Sequence, residues 1–359
     1  MASSLWVSRA EIVGNSIFFL TEENGYPGII DISTGEVVFL SQVPKDIIGH
    51  PAHDFCVFTY QDHVDIVSNY GEGVYRYDIS NSLFEELYAE KKHEKKMIGS
   101  CAGAYRLKDE CMIFTRDGMI VTWNSALKKI TRSFLMKDKK VCWADGSNND
   151  VWLLESEALD LYRYDVISKK CELYSSNILK GYELLSRSWL PVHHMKVDSK
   201  MIYLHDSTSI YSFDIERKRT DVVFRNEEND NGSRLIFMEN DIVITPYYGR
   251  EFIVLDKQSG TLKRKEMISE EILGKTSRQV QGGVVGGISE GLKCVYMPLT
   301  TRDDYILKIE DCEKCLSTIK LNLEHLGKKN LITNLIKKDG YIKESSYASI
   351  GDFLEIMEV

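Results

Sequence analysis

The chain has 359 residues, of which 43% are hydrophobic and 10% aromatic, and its formal net charge is −9. This composition predicts a folded protein with a sizeable core and excludes a disordered chain. The acidic balance argues against a general affinity for nucleic acid or an anionic membrane, so we expect neither partner. The longest apolar run near the N-terminus, residues 17–20, is too short for a secretory leader or a membrane span. A cytoplasmic location is therefore expected.

The first 40 residues contain four short apolar runs separated by polar turns, a pattern that predicts four β-strands. We place these strands, A to D, at about 6–13, 17–20, 28–32 and 36–40. The same four-strand pattern recurs along the chain, and strand C of each repeat ends in an apolar or aromatic residue followed by Asp, Asn or Glu. These pairs are Ile30-Asp31, Tyr77-Asp78, Trp123-Asn124, Tyr164-Asp165, Phe213-Asp214, Leu255-Asp256 and Ile309-Glu310.

The acidic positions are separated by 41 to 54 residues. A period of this length with several strands per copy is typical of a β-propeller blade. We therefore predict an all-β, seven-bladed β-propeller of four-stranded repeats over residues 1–320, with six or eight blades as alternatives. In the second repeat, strand B is placed at 56–60, and 61–72 is interpreted as a loop insertion.

Each A strand should carry a small residue where the blades crowd around the axis. Counting seven residues back from each B strand gives the candidate positions Ala10, Gly49, Ala104, Ala144, His194, Leu235 and Gly287. Five of these seven are Ala or Gly, which supports the assignment of inner strands.

Residues 321–359 do not repeat the four-strand pattern and are predicted to form a tail that closes the ring. Ser349 to Asp352 resembles a capping box that opens a short amphipathic helix. We expect Phe353, Leu354 and Met357 to be buried against the ring. A part in an eighth blade is the alternative for this segment.

Two short motifs resemble known propeller families. Residues 28–39 (GIIDISTGEVVF) and 252–263 (FIVLDKQSGTLK) resemble bacterial quinoprotein-type repeats, and the aromatic-Asp endings with one Gly49-His50 pair resemble WD40 repeats. The resemblance implies the propeller fold over about 320 residues. Phe39 and Lys263 stand where the quinoprotein pattern has a docking Trp, so no quinone cofactor is expected, and no other cofactor is predicted.

The D–A and B–C connections of a propeller lie at one end of the blades, and here they hold the longer loops. Function is expected at this end, because a rigid scaffold with variable loops is how binding sites are usually built. Aromatic and arginine side chains in these loops are typical anchors of protein interfaces. The candidate partner-binding residues are Tyr70, Trp189, Tyr247, Tyr248, Arg250 and Arg302.

Histidines form a second constellation, with His50 and His53 assigned to the second A strand and His194 to the fifth. Imidazoles that converge at a channel mouth could hold a metal or act as a general base. The alternative is that they line the channel as hydrogen-bonded structural residues, and we predict no metal site.

Cys56, Cys111 and Cys294 lie in apolar runs and are interpreted as small core residues, in keeping with a reducing compartment. The sequence thus favours a non-catalytic, cytoplasmic binding platform for a protein or peptide. The alternative is a propeller lyase or hydrolase that acts on a saccharide or small molecule through His50, His53 and His194. The oligomeric state stays open.

Overall fold

A computed structural model describes residues 7–21, 25–48, 50, 52–90, 101–184, 190–206, 208–225, 232–246, 251–267, 294–298, 305–310 and 316–321. Almost all of the regular structure in these ranges is β-strand. The one helical element among them is a 3-10 turn, η1 (Ala52–Asp54), and none of their helical structure is long and apolar enough to cross a bilayer. Apart from Leu321, the predicted tail, with Phe353, Leu354 and Met357, lies outside the described residues.

Twenty-four strands form six antiparallel sheets, and the strand order in each sheet follows the chain. The sheets are β1–β4 (Val7–Val13, Ser16–Thr21, Pro27–Asp31, Val37–Phe39), β5–β8 (Phe55–Thr59, His63–Ser68, Gly73–Asp78, Leu83–Ala89), β9–β12 (Cys101–Leu107, Glu110–Thr115, Met119–Asn124, Lys129–Phe134), β13–β16 (Val141–Ser147, Asp150–Glu155, Leu161–Asp165, Lys170–Ser175), β17–β20 (His194–Asp198, Met201–His205, Ser209–Asp214, Arg219–Arg225) and β21–β24 (Gly232–Phe237, Asp241–Pro246, Glu251–Asp256, Leu262–Met267).

Three further strands form a smaller sheet, namely β25 (Cys294–Pro298), β26 (Tyr305–Glu310) and β27 (Leu316–Lys320). The described residues therefore contain six complete blades and not the predicted seven, which agrees with the alternative count of six. The all-β propeller itself is confirmed. The last predicted repeat falls short of a four-stranded blade in these ranges because only its three strands β25–β27 are described.

The inner strands of successive blades contact one another in the order β1, β5, β9, β13, β17, β21, which arranges the sheets around an axis. Where β9 meets β13 the approach is very close, since a Cβ added at Gly103 would overlap the carbonyl oxygen of Ala144. The three-stranded sheet packs against the first blade, because Ile319 and Leu321 join a core cluster that contains Phe19 and Val37.

Burial falls from the inner half of each blade to its edge. The B strands are buried over most of their length, as in β2, β10 and β14, whereas the outer strands β8, β12 and β20 are mostly exposed. This explains the sequence pattern, since a B strand packs against a neighbouring blade on both faces and therefore reads as a continuous apolar run.

The recurrent Asp or Asn at the end of each C strand has a structural reason. In all six complete blades its side-chain oxygen accepts hydrogen bonds from backbone N–H groups two or three residues further on, which closes the C–D turn. These residues are Asp31, Asp78, Asn124, Asp165, Asp214 and Asp256.

The predicted inner positions are right in four blades. Ala10, Ala104, Ala144 and Leu235 each lie opposite the fourth residue of their B strand. In the second and fifth blades the equivalent residues are Val57 and Met195, so Gly49 and His194 were wrong choices. Gly49 and Gly287 themselves lie outside the described residues.

The second repeat differs most from its prediction. Residues 55–59 form the inner strand β5, and the segment interpreted as a loop contains the B strand β6 (His63–Ser68). His50 and His53 therefore precede the inner strand, and Cys56 lies on an A strand, unlike Cys111 and Cys294 on B strands. The burial of Cys56 and Cys111 is confirmed.

Candidate functional site

The end of the blades at which B–C and D–A connections lie is here called the mouth face. B strands end there and A strands begin there, so the topology brings η1, the residues after β6 and β10, and the first residues of β13 and β17 to one end. Of the six predicted partner-binding residues, only Tyr70 is among the described ones. Trp189, Tyr247, Tyr248, Arg250 and Arg302 lie outside them.

Tyr70 follows β6 and is half-buried against the core between the second and third blades. Its carbonyl oxygen accepts a 2.6 Å hydrogen bond from Nε of Arg132, whose Nη2 also donates to the carbonyl of Gly71 at 2.7 Å. Burial, with a smaller contribution from Asp117, raises the pKa of the Tyr70 phenol to about 12. The side chain is thus neutral, its backbone is held by Arg132, and part of its surface is open to solvent.

His50 and His53 flank the carboxylate of Asp54 in and around η1. His50 Nδ1 lies 3.8 Å from Asp54 Oδ2, and His53 Nε2 lies 3.8 Å from Asp54 Oδ1. Both distances exceed a hydrogen bond, and the His50 ring instead meets Phe55 edge to face at 6.3 Å. The carbonyl of His53 accepts a 2.7 Å bond from Asn69 Nδ2, which ties η1 to the end of β6.

His194, the first residue of β17, lies between blades. Its ring meets the Trp143 indole edge to face at 5.1 Å, and its Nδ1 accepts a 3.3 Å hydrogen bond from the Leu235 N–H. In the neutral ring the proton is therefore assigned to Nε2. Within the described ranges, no three His, Cys, Asp or Glu residues form a group that could hold a metal ion. The structure thus does not bring His50, His53 and His194 together as a metal centre.

Trp143, which lies beside His194, and Arg116, which lies over the Trp143 ring, were missed by the sequence analysis. The Arg116 guanidinium lies 5.7 Å from the Trp143 ring centroid, and its Nη1 donates a 3.1 Å hydrogen bond to the carbonyl of Cys142. Trp143 Nε1 donates to the carbonyl of Val192 at 2.8 Å, which fixes the indole plane. Arg116, Trp143 and His194 are together called the mouth cluster.

Arg116 of the mouth cluster has an unusual electrostatic environment for an arginine. Burial lowers the pKa of Arg116, and the nearby thiols of Cys142 and Cys101 oppose that effect only in part. A guanidinium that is partly desolvated against an aromatic face attracts an anion more strongly than one in water. The cluster therefore has the chemistry to bind a carboxylate or another planar anion.

No sequence pattern points to this cluster. Arg116 follows a strand in Thr115-Arg116-Asp117-Gly118, which reads as an ordinary polar turn, and Trp143 reads as a strand residue. Their proximity depends on how the third, fourth and fifth blades pack, and no local pattern encodes that packing. In the structure, the mouth cluster is recognised by its half-buried arginine.

A second polar assembly lies at the opposite end of the blades. Tyr60 stacks on His63 with ring centroids 4.3 Å apart, and the Arg106 guanidinium lies 4.7 Å from the Tyr60 ring. Arg106 also donates to the carbonyl of Thr59. These contacts join the A–B turn of the second blade to the inner strand of the third, so they explain packing between blades.

Comparison with known proteins reaches the fold through structure alone, since no family model and no curated protein matches the sequence. PorZ, a surface component of the type-IX secretion system of Porphyromonas gingivalis, superposes with a TM-score of 0.61 at 10% identity. The match covers 92% of this chain and 40% of PorZ, so the chain spans less than half of that protein.

Two other solved structures match over most of their length. The computationally designed protein Ika8 superposes with a TM-score of 0.56 at 13% identity, covering 89% of each chain. A streptogramin B lyase superposes with a TM-score of 0.57 at 12% identity, covering 88% of this chain and 94% of the lyase. Identities this low are evidence of fold only. Together with the repeated blades, they show that the chain is a β-propeller repeat protein.

Proposed function

We propose that this propeller is a non-catalytic binding platform that engages an acidic peptide segment of a protein partner at the mouth face. The observation that carries the proposal is the half-buried Arg116 guanidinium on the face of Trp143, with His194 at the indole edge. Arginine and tryptophan are the residues most often found at the energetic centre of protein interfaces.

The geometry of Arg116 favours a carboxylate over other ligands. A guanidinium presents its N–H groups as a planar fork that matches two carboxylate oxygens. Packing on Trp143 and the bond to the Cys142 carbonyl hold that fork in place before a ligand arrives. Less side-chain entropy is then lost on binding, which is the usual advantage of a preorganised site.

The rest of the proposed binding surface consists of the partner-binding residues of the sequence analysis. Tyr70 belongs to the second blade at the same end, and Trp189, Tyr247, Tyr248, Arg250 and Arg302 are proposed to extend the contact around the mouth cluster. A cytoplasmic location is part of the proposal. It is supported by the cysteines of the described residues that are not in disulfides, namely Cys56, Cys101, Cys111, Cys142 and Cys171.

The rival proposal is a propeller enzyme, and one structural neighbour of this chain is a streptogramin B lyase. It needs His50, His53 and His194 to act as a unit on a substrate. The 3.8 Å separations around Asp54 and the engagement of His194 Nδ1 by Leu235 support it less than they support structural roles.

The test is binding of paired synthetic peptides by titration calorimetry. One series carries Glu or Asp at each position of otherwise neutral sequences, and the matched series carries Gln or Asn. We expect only acidic peptides to bind, and Arg116→Gln to weaken them tenfold or more, as losing a charged hydrogen bond implies.

Arg219→Gln is the matched control, because Arg219 is exposed at the start of β20, at the end opposite the mouth face. The double change His50→Ala with His53→Ala should leave binding intact. Equal binding of acidic and neutral peptides, or an unchanged affinity in Arg116→Gln, would contradict the proposal.

A further inference from the structure

Two cysteines of neighbouring blades approach each other near the mouth face. Cys56 lies on β5 and Cys101 is the first residue of β9, and their sulfur atoms are 3.6 Å apart although 45 residues separate them in sequence. A disulfide requires about 2.0 Å between the sulfurs, so a shift of about 1.6 Å would allow the bond to form. Side-chain rotation supplies a shift of this size.

The two thiols have different surroundings. Cys56 is buried, and its Sγ–H donates a 3.3 Å hydrogen bond to Asn69 Oδ1. Cys101 is partly exposed, so hydrogen peroxide can reach its thiol directly, whereas Cys56 is shielded from solvent. Cys101 is therefore placed to react first and Cys56 to resolve the product.

We propose that Cys56 and Cys101 form a peroxide-sensitive pair that closes to a disulfide between the second and third blades. The Cys101 thiolate attacks one oxygen of hydrogen peroxide, the O–O bond breaks, and the departing hydroxide takes up a proton to become water. Cys101 is then a sulfenic acid. The Cys56 sulfur attacks the Cys101 sulfur, the S–O bond breaks, and the hydroxide leaves as water with the Cys56 proton.

The overall step is balanced: two thiols lose two electrons and two protons, and one peroxide gains both to give two waters. The product links inner strands that already pack against each other, since Cys101 contacts the same core cluster as Cys56, Cys111 and Trp123. Little of the surrounding packing has to move, and the reverse reaction needs only a dithiol reductant.

The experiment treats the full-length protein with a small excess of hydrogen peroxide, alkylates the remaining thiols and digests the protein without reduction. Mass spectrometry should find a cross-linked peptide pair that contains Cys56 and Cys101 and disappears on treatment with dithiothreitol. Further oxidation of Cys101 to sulfinic acid with Cys56 still alkylated would overturn the proposal. So would a pairing of either cysteine with another partner.

Variants separate the roles of the two sulfurs. Cys101→Ser should leave Cys56 unreacted, and the control Cys171→Ser, at a partly exposed thiol on β16, should keep the cross-link. None of these variants replaces Cys56, because the loss of a buried side chain would itself disturb the packing.

Discussion

Arg76 binds the carboxylate of Asp65 through two hydrogen bonds, Nε to Oδ1 at 2.7 Å and Nη2 to Oδ2 at 2.9 Å. Asp65 lies on β6 and has no exposed surface, and Trp123 of the third blade donates a further 2.9 Å bond to its Oδ2. Arg76 also donates to Ser125 Oγ at 2.7 Å, again in the third blade. A single buried carboxylate therefore joins two blades.

Removal of that carboxylate should destabilise the protein strongly. Asp65→Ala leaves Arg76 and the Trp123 N–H without their acceptor, and breaking one side of a buried pair costs about 3–5 kcal/mol. Urea unfolding measures the loss as a lower transition midpoint. The double change Asp65→Leu with Arg76→Met should lose less than Asp65→Ala alone, because no uncompensated charge remains. A double variant as unstable as the single one would contradict this account.

The same residue explains why the sequence was misread at this point. In the segment 61–72 a charged residue interrupts Val64, Ile66 and Val67, and a central strand rarely contains one. The interruption is tolerated only because Arg76 and Trp123, 11 and 58 residues away, satisfy the carboxylate. A local pattern does not contain that information, so β6 was interpreted as a loop and η1 with its histidines as a strand.

Other features were predictable because their causes are local. An Asp such as Asp31 ends a strand and binds the next turn within three residues, so its recurrence marks each blade. The mouth cluster is the opposite case. Arg116, Trp143 and His194 come from three blades, and only the packing of those blades makes them neighbours. The repeating turns that mark the blades could thus be predicted from sequence, whereas the contacts between blades could not.

The turn carboxylates predict a loss of stability in acid, and Asp256 is the clearest case. The N–H and hydroxyl of Ser259, and then Lys263, lower the pKa of Asp256 to about 2. The pKa of an Asp in an unfolded chain is about 3.9. Below that value the unfolded chain binds more protons than the folded one, so this contribution is full above about pH 4 and is lost as the pH falls through about 2.

Asp256→Ala should therefore lower the urea midpoint at pH 5 more than at pH 2.5. Asp256→Asn is the matched control, because the amide oxygen of Asn124 accepts the same kind of turn bond from Leu127. This variant should show a smaller loss at pH 5 that changes little with pH. Equal losses for Asp256→Ala at both pH values would show that the charge contributes nothing.

His205 predicts a second pH effect in a higher window. Burial, with a smaller contribution from His193, lowers the pKa of His205 to about 4, and Asp206 opposes the shift. Within the described residues its Nδ1 has no hydrogen-bond partner. The pKa of a His in an unfolded chain is about 6.5. The free energy of unfolding should therefore fall by up to about 3 kcal/mol as the pH drops from 6.5 to 4.

His205→Met removes the titrating group, and its melting temperature should change less between pH 7 and pH 5 than that of the wild type. His53→Gln is the control for replacing an imidazole, since about half of the His53 side chain is exposed. If His205→Met and the wild type lose stability in parallel over this range, His205 is not the group responsible.

The last two predictions concern the seam between the three-stranded sheet and the first blade. Leu321 follows β27, is 4% exposed, and packs with Ile17, Phe19 and Val37. Loss of its side chain leaves a cavity in this seam, so Leu321→Ala should lower the free energy of unfolding by about 3 kcal/mol. Leu262→Ala, at an exposed outer-strand position, should change it by less than about 0.5 kcal/mol.

Gly35 tests the same seam from the opposite side. Its φ is +71°, and an added Cβ would overlap the carbonyl oxygen of Lys320, so Gly35→Ala forces either a strained turn or a displaced β27. We expect Gly35→Ala to destabilise the protein and to speed amide exchange in both the first blade and residues 316–321. Gly14→Ala is the control, because Gly14 has a φ of +58° but open space around it. If Gly14→Ala and Gly35→Ala give the same exchange pattern, the turn alone matters and the seam does not hold the first blade.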